Sequence, residues 1–423
     1  MESKKRICVI LFALLAVLLV GHILNNSVAV LLAVAVICIS ILLFDSYTST
    51  CILFFFFPLS YIFAYNQYSV CIFLAVAYIL KTVTKGKIYT SAFYTIILLA
   101  YCLMFADYSV GNVKLGTMIP PILISLLIFV CEEVKQSDYL TMINHFKNGF
   151  IVSAIIGFFK EQLPSISRLF DSDFVNDSGA VDSNMIERYS GLSYDPNFFT
   201  VINCILIAIL LFTTEKMSLK KGIELLFLVV TGFLTFSKSY ILLLSIIAVI
   251  YLFRRSKYVG RNIAIIVGMI VAVVAVQRFT DFDLISIILG RFETSGGAED
   301  LTTGRLELWR EYLNYILSKP EVCFWGEGFN ALPVNIKAVH NTYIDFWYRF
   351  GLVGSTLWIV YLFICFRTVK NKNMAKSDKA TNIPLTVCLL GFLFLSAYHF
   401  QQLWCCICLC FFALNIPKEG KNA

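Results

Sequence analysis

The sequence predicts an all-α integral membrane protein, a polytopic bundle of about 12–14 transmembrane helices with two long extracytoplasmic loops. Composition, the recurrence of apolar runs and the placement of basic residues each point there. Of 423 residues, 59% are hydrophobic and 14% charged, where a soluble domain carries about 25% charge. Mean hydropathy is +0.80, and a soluble fold of this size could not hide that much apolar surface.

Crossing a bilayer takes about 20 apolar residues. Runs of that character fall near 7–24, 28–44, 51–65, 69–82, 91–105 and 118–131. Later runs fall near 149–159, 199–213, 222–236, 239–253, 262–277, 342–366, 383–398 and 400–415. Several are shorter than a full span, which leaves room for re-entrant or kinked helices. The first run follows Lys4, Lys5 and Arg6 and lacks a small-residue cleavage site, so it reads as a retained helix. The chain thus divides into N-terminal membrane helices (1–159), a first long loop (160–198), central helices (199–277), a second long loop (278–341) and C-terminal helices (342–423).

Charge sets the orientation. With the amino terminus in the cytoplasm, the segments that fall inside hold 22 of the 34 lysines and arginines, as the positive-inside rule requires. Both termini are therefore expected in the cytoplasm, and both long loops on the outer face of the cytoplasmic (inner) membrane. The loops themselves are acidic: 160–198 has three basic and seven acidic residues, and 278–341 has six and nine. The net charge of +7 is thus cytoplasmic in origin. An outer anion site has to be built locally from particular arginines, whose planar, permanently charged forks suit it.

The long loops are where polar groups can converge on a substrate. In the first, Arg188, Gly191, Asp195, Pro196 and Asn197 form a turn that feeds a helix starting near Phe198. In the second, Thr303, Gly304, Arg305, Leu306, Glu307, Leu308, Trp309 and Arg310 have the period of a short amphipathic helix opening after Thr303. The loop continues through Gly326 and Gly328 to His340, Asn341 and Tyr343 at the mouth of the next helix.

In chain order these residues read Arg-x-x-Gly-x-x-x-Asp-Pro-Asn at 188–197, Thr-x-Ser-Lys at 235–238, Gly-Arg-x-x-x-Trp-Arg at 304–310, Gly-x-Gly at 326–328, His-Asn-x-Tyr at 340–343 and Gly-Leu-Val-Gly at 351–354. Over roughly residues 185–370 the chain resembles the O-antigen ligase and polymerase superfamily, which includes the Wzy-type polymerases of O-antigen and capsular polysaccharide. The resemblance implies an inverting, metal-independent glycosyltransferase without a cofactor. Its donor would be an undecaprenyl-pyrophosphate-linked oligosaccharide, its acceptor another glycan, and polysaccharide-assembly proteins would be further partners in the lipid bilayer. Carried over residue by residue, Arg188, Arg291, Arg305, Lys238 and Asn341 would bind substrate and His340 would act at the acceptor hydroxyl. Position 238 is lysine where the family often has arginine, and position 349 is arginine where relatives often carry glutamate.

Elementary chemistry agrees with these roles. A departing polyprenyl pyrophosphate gathers negative charge that arginines at a dry boundary stabilise. The attacking hydroxyl loses a proton, and a histidine titrating near neutrality suits its removal. His340 is the only histidine in either long loop. Asp345 and Arg349, four apart on a helix, read first as a structural ion pair. The pairs Asp171/Asp173 and Asp281/Asp283 imitate the metal-binding carboxylates of soluble glycosyltransferases, yet no nucleotide-binding α/β pattern surrounds them. The run Cys405, Cys406, Cys408 and Cys410 lies in an apolar helix and reads as packing. No motif suggests nucleic-acid binding.

Three other readings compete, one of them a non-catalytic membrane subunit of a polysaccharide-assembly complex, which would explain the helices but not the ordered arginine and histidine motifs. A ligase transferring the glycan to a lipid core differs only in its acceptor; polymerase is preferred because polymerases are the more widespread members. A lipid-linked glycan transporter or flippase would show internal repeats and several ionisable residues near the midplane, whereas only Asp345 and Arg349 are deep charges.

Overall fold

The computed structural model describes residues 2–65, 68–85, 119–164, 188–193, 195–213, 218–253, 304–328, 338–369, 382–396 and 401–416, with isolated residues between these stretches. The helices follow the apolar runs: α1 (Glu2–Ile23), α2 (Ser27–Leu43), α3 (Ser46–Phe56), α4 (Ile72–Thr84) and α5 (Ile119–Glu133). Then come α6 (Tyr139–Gly157), α7 (Pro196–Thr213), α8 (Leu219–Phe233) and α9 (Lys238–Phe253). The last are α10 (Arg305–Ser318), α11 (Pro320–Trp325), α12 (Thr342–Val369), α13 (Ile383–Gly391) and α14 (Gln401–Leu414). The protein is an all-α membrane protein whose described residues include one two-residue β pairing, Ala64–Tyr65 with Tyr68–Ser69. Three described helices are long and apolar enough to cross a bilayer by themselves: Lys5–Ile23, Pro196–Thr213 and Thr342–Val369.

The largest difference at a helix start is at α6. The sequence places 132–148 in a connecting loop before the run at 149–159, yet α6 begins at Tyr139. Lys147 is buried there against Glu224 of α8, with Nζ and Oε2 2.5 Å apart. A charge buried with its partner can be helical and internal. That partner lies 77 residues away, beyond any local pattern.

The core runs through most of the helices. α7 is buried along nearly its whole length, and Phe412 of α14 stacks on Tyr139 of α6 with centroids 4.4 Å apart. A second, smaller cluster stands apart: Tyr312 and Ile316 of α10, Val322 of α11, Val339 and Tyr348. It seats the helices of the second loop on the start of α12.

Two glycine junctions position the loop segments. Gly191, at φ +58°, lies against the end of α6, where a Cβ added to Gly157 would come 2.4 Å from the Gly191 Cα. Gly326 (φ +87°) and Gly351 (φ +63°) bring the end of α11 onto a break inside α12. A Cβ on Gly351 would sit 2.3 Å from the Phe324 carbonyl oxygen, and one on Gly326 the same distance from that of Arg349. Only glycine fits such backbone-to-backbone contact at positive φ.

Candidate active site

The first half of the site is a hydrogen-bonded block where the 188–197 turn meets the 235–238 turn. Pro196 opens α7, where its missing N–H costs nothing. Asp195 Oδ1 accepts from the Asn197 N–H at 2.6 Å, and its carbonyl accepts from Phe198 at 3.1 Å. Opposite, α8 ends and Phe236 takes φ +47°, a strained value for a bulky side chain. Arg188 Nε donates to the Thr235 carbonyl at 3.0 Å, and Nη2 reaches Asn197 Oδ1 at 3.4 Å. Ser237 Oγ donates to the same Oδ1 at 3.0 Å. The Tyr189 N–H joins the Leu234 carbonyl at 3.1 Å, and the hydroxyls of Thr200 and Thr235 lie 3.1 Å apart. Arg188 is buried, and this guanidinium is built into the protein. Half-buried Lys238 follows as the first residue of α9.

The second half is carried by α10. Gly304, at φ +73°, precedes Arg305, so the helix opens where the sequence predicts. Four residues on, and thus on the same face as Arg305, Trp309 Nε1 donates to the Val339 carbonyl at 3.0 Å. That bond delivers the Arg305 end of α10 to the residue before His340. Tyr312 packs edge-on against Tyr348, and its hydroxyl accepts from the Val334 N–H at 3.1 Å.

His340 takes φ +49° as the chain turns into α12. Among the described residues only Asn25 and Phe236 are other non-glycine residues with positive φ, so two of the three fall in the motifs quoted above. Asn341, buried, caps α12: its Oδ1 accepts from the N–H groups of Tyr343 and Ile344 at 3.0 and 3.2 Å. Thr342 ties the helix start to the end of α13, its N–H donating to Phe392 O at 2.8 Å and its hydroxyl to Leu395 O at 2.6 Å.

Electrostatics link the halves. Burial pulls the His340 imidazole below the usual histidine value, the charge of Arg305 pushes the same way, and Asp195 and Asp345 oppose them. Burial also lowers Arg305, with Asp195 opposing, and a guanidinium stays charged at neutral pH regardless. Asp195 thus lies near enough to both Arg305 and His340 for its charge to act on them, which relates the 188–197 turn to the second loop. Neither Arg305 nor His340 makes a side-chain hydrogen bond or ion pair among the described residues.

Arg188 and Lys238 thus sit at the two adjoining turns, Arg305 at the start of α10 and His340 and Asn341 at the entry to α12, with the charge of Asp195 acting on both Arg305 and His340. Arg291 lies outside the described residues, as do Asp171, Asp173, Asp281 and Asp283. Asp345 and Arg349 form the ion pair expected of them, Nε to Oδ1 at 2.8 Å, and Arg349 Nη1 also donates to Ala331 O at 3.0 Å. The cysteines of 405–410 are buried in α14, where Cys408 Sγ lies 3.9 Å from that of Cys131. Sequence reasoning did not single out Asp195, Asn197, Ser237 or Trp309 as parts of the site. All four lie in the quoted motifs, and their side-chain partners are what single them out.

A family model described as O-antigen ligase matches residues 224–359. The match covers about a third of the 423 residues, from within α8 to the second half of α12. It contains Lys238, Arg291, Arg305, His340 and Asn341 and leaves Arg188 outside. It supports the O-antigen ligase and polymerase superfamily for the part of the chain that carries the second loop. No curated protein and no solved structure matches the chain.

Proposed function

With that superfamily as premise, we propose that the chain is a membrane-embedded, inverting, metal-independent glycosyltransferase. It polymerises undecaprenyl-pyrophosphate-linked repeat units of O-antigen or of capsular or exopolysaccharide at the outer face of the cytoplasmic membrane. The acceptor hydroxyl oxygen attacks the anomeric carbon of the donor, and the bond from that carbon to the pyrophosphate oxygen breaks. The pyrophosphate leaves with the bonding electrons, and the hydroxyl proton passes to the imidazole of His340. Arg305 meets the charge that grows on the leaving group, with Arg291 and Lys238 assigned to the same anion and Arg188 holding the turn that faces it. The sugar arrives already activated, so the reaction calls on no nucleotide.

One observation carries this reading: the Trp309 bond to Val339 brings the end of α10, where Arg305 makes no hydrogen bond among the described residues, to the residue before His340, whose imidazole burial and the Arg305 charge pull below the usual histidine value. That is the acid–base and charge complement the displacement needs. In the test, purified full-length protein receives a polyprenyl-pyrophosphate glycan in the presence of chelator, and product is detected directly. Wild type should extend the glycan and His340→Ala should not, while both bind donor. Equal activity of the two removes His340 from the chemistry, and a requirement for divalent metal restores the paired aspartates.

The description of the matched family favours a second reading, a ligase that passes the finished glycan to a lipid core. The same assay separates them: a ladder of repeat units marks a polymerase, and a single transfer to an added lipid-core acceptor marks a ligase. Orientation has its own test. In intact cells Cys323 should label with an impermeant thiol reagent; labelling only after the inner membrane is broken would put the site in the wrong compartment.

A further inference from the structure

Helix α10 presents three faces. Leu308, Trp309, Tyr312 and Ile316 pack into the smaller core. Glu307, Asn314 and Ser318 are exposed and polar. Between these faces runs a third stripe, Leu306, Arg310, Leu313 and Leu317, in steps of four, three and four that keep to one side of the helix. Leu306 is 43% and Leu317 63% exposed. The exposure continues in α11, where Phe324 is 53% and Trp325 49% exposed. Water gives no reason for a leucine stripe beside a polar one, whereas a helix lying in a membrane surface needs both.

The level of these side chains follows from the Gly351 break. From Gly351 to Val369, α12 is about 28 Å long, close to the roughly 30 Å of a bilayer's hydrocarbon core. Before the break lie Thr342, Asp345 and Arg349, so the edge of the hydrocarbon falls at Gly351. Phe324 and Trp325 are seated on that residue, since a Cβ on Gly351 would meet the backbone of both within 2.5 Å. Pro320–Trp325 adds about 9 Å at most, which keeps the end of α10 at the depth of the headgroups. Below, the same surface continues as Leu352, Ile359 and Phe363 of α12, all exposed. Arg310 is the cation of the stripe. It is exposed and makes no hydrogen bond or ion pair among the described residues, whereas Lys319 donates to the Tyr315 hydroxyl at 2.7 Å. An arginine among leucines can lay its stem along the acyl boundary and hold a phosphate in its fork.

We infer that α10 and α11 lie in the leaflet on the side of the second loop, with Leu306, Leu313, Leu317, Phe324 and Trp325 at the acyl boundary and Arg310 on the phosphate of an anionic phospholipid. This seat sets the height of α10 and so holds Arg305, one residue before the stripe, at the level of the lipid phosphates. It goes beyond the glycosyltransferase reading and needs only the membrane placement of α12. The lipid here is a structural partner of the loop, bound on a face of α10 different from the one that carries Trp309.

The test uses full-length protein in nanodiscs of equal phosphatidylglycerol and phosphatidylcholine. Photoreactive benzoylphenylalanine replaces Leu306, Leu317 or Asn314, and lipid adducts are read by mass spectrometry. The two leucine positions should form phospholipid adducts in clear excess over Asn314 on the polar face. Equal yields from all three, or no adducts at the leucine positions, overturn the seat; crosslinks to a second copy of the chain assign the stripe to a dimer instead. Phosphatidylglycerol should predominate in the Leu306 adducts. Adding Arg310→Gln should cut that preference about fivefold, the worth of one basic residue at an anionic surface, and Arg310→Lys should keep most of it. Leu317 adducts that persist in Arg310→Gln show that the helix stays seated, and an unchanged lipid preference in that variant overturns the phosphate contact. No glycan enters the experiment. A protein that gives these adducts but joins no glycans rejects the enzymatic reading and keeps the seat.

Discussion

Two arginines of the same site differ in what the protein has done with them. Arg188 is buried and spends its guanidinium on the Thr235 carbonyl and the Asn197 side chain. Arg305 is half-buried, sits at the first turn of a helix and makes no hydrogen bond or ion pair among the described residues. A buried cation already satisfied by protein acceptors holds structure, and moving it to a ligand would leave those acceptors empty. A cation whose fork is uncommitted can give all its donors to a ligand. Motif membership treats the two as equals; the hydrogen bonds divide them into a frame and a working end.

Mutations at the working end should separate activity from stability most sharply. His340→Ala should lower kcat about 10²–10⁴-fold, the usual worth of a general base, and Arg305→Ala about 10²–10³-fold. Both should unfold within about 0.5 kcal/mol of wild type, as denaturant titration in mixed micelles can measure. A parallel fall in activity and stability for Arg305→Ala would erase the distinction from Arg188.

The frame should behave in the opposite way. Arg349→Ala strands the carboxylate of Asp345, a buried partner 2.8 Å away, and should cost about 3–5 kcal/mol. Asn197→Leu removes the one acceptor shared by Arg188 and Ser237 and should cost about 1–3 kcal/mol. Asn197→Asp keeps an acceptor in place and should recover most of that loss. If Asn197→Leu is as stable as wild type but inactive, the block around it belongs to the working end after all.

The smallest effect is on pH dependence. In the proposed reaction His340 acts as neutral imidazole, and burial together with Arg305 holds it below the usual histidine value. Activity should therefore persist below pH 6.5 and fall only when the ring is finally protonated. Arg305→Gln removes the positive neighbour and should move the acid limb of kcat/KM to higher pH. Asp195→Asn removes an opposing charge and should move it lower. Shifts in the same direction would mean that the limb reports another group.

The sequence made the membrane class, most helix positions and the opening of α10 at Gly304 legible, because each rests on local period or on a turn residue. It also put Asp345 and Arg349 on one helix face, where four-residue spacing speaks for itself. The start of α6 was hidden because Lys147 needs Glu224 to be buried. The split between Arg188 and Arg305 was hidden for a related reason: an arginine's availability depends on carbonyls and amides brought up by other segments. Phe236 shows the limit most plainly, since nothing in a Thr-Phe-Ser-Lys string announces a left-handed phenylalanine. Asn341 is a reminder from the other side, a motif residue whose oxygen is occupied in starting a helix.

The contact of Gly326 with the Arg349–Gly351 backbone has a consequence for biogenesis. The Tyr101 hydroxyl lies within hydrogen-bond distance of both the Trp325 and Phe350 carbonyls, at 3.0 and 2.7 Å, so it closes over that junction from a segment made more than two hundred residues earlier. During synthesis Tyr101 lacks the second of these acceptors until residue 350 has left the ribosome. The early helices therefore enter the bilayer before this junction can close. The second loop can settle only late in translation, which makes a chain stalled before α12 an inserted protein without this junction.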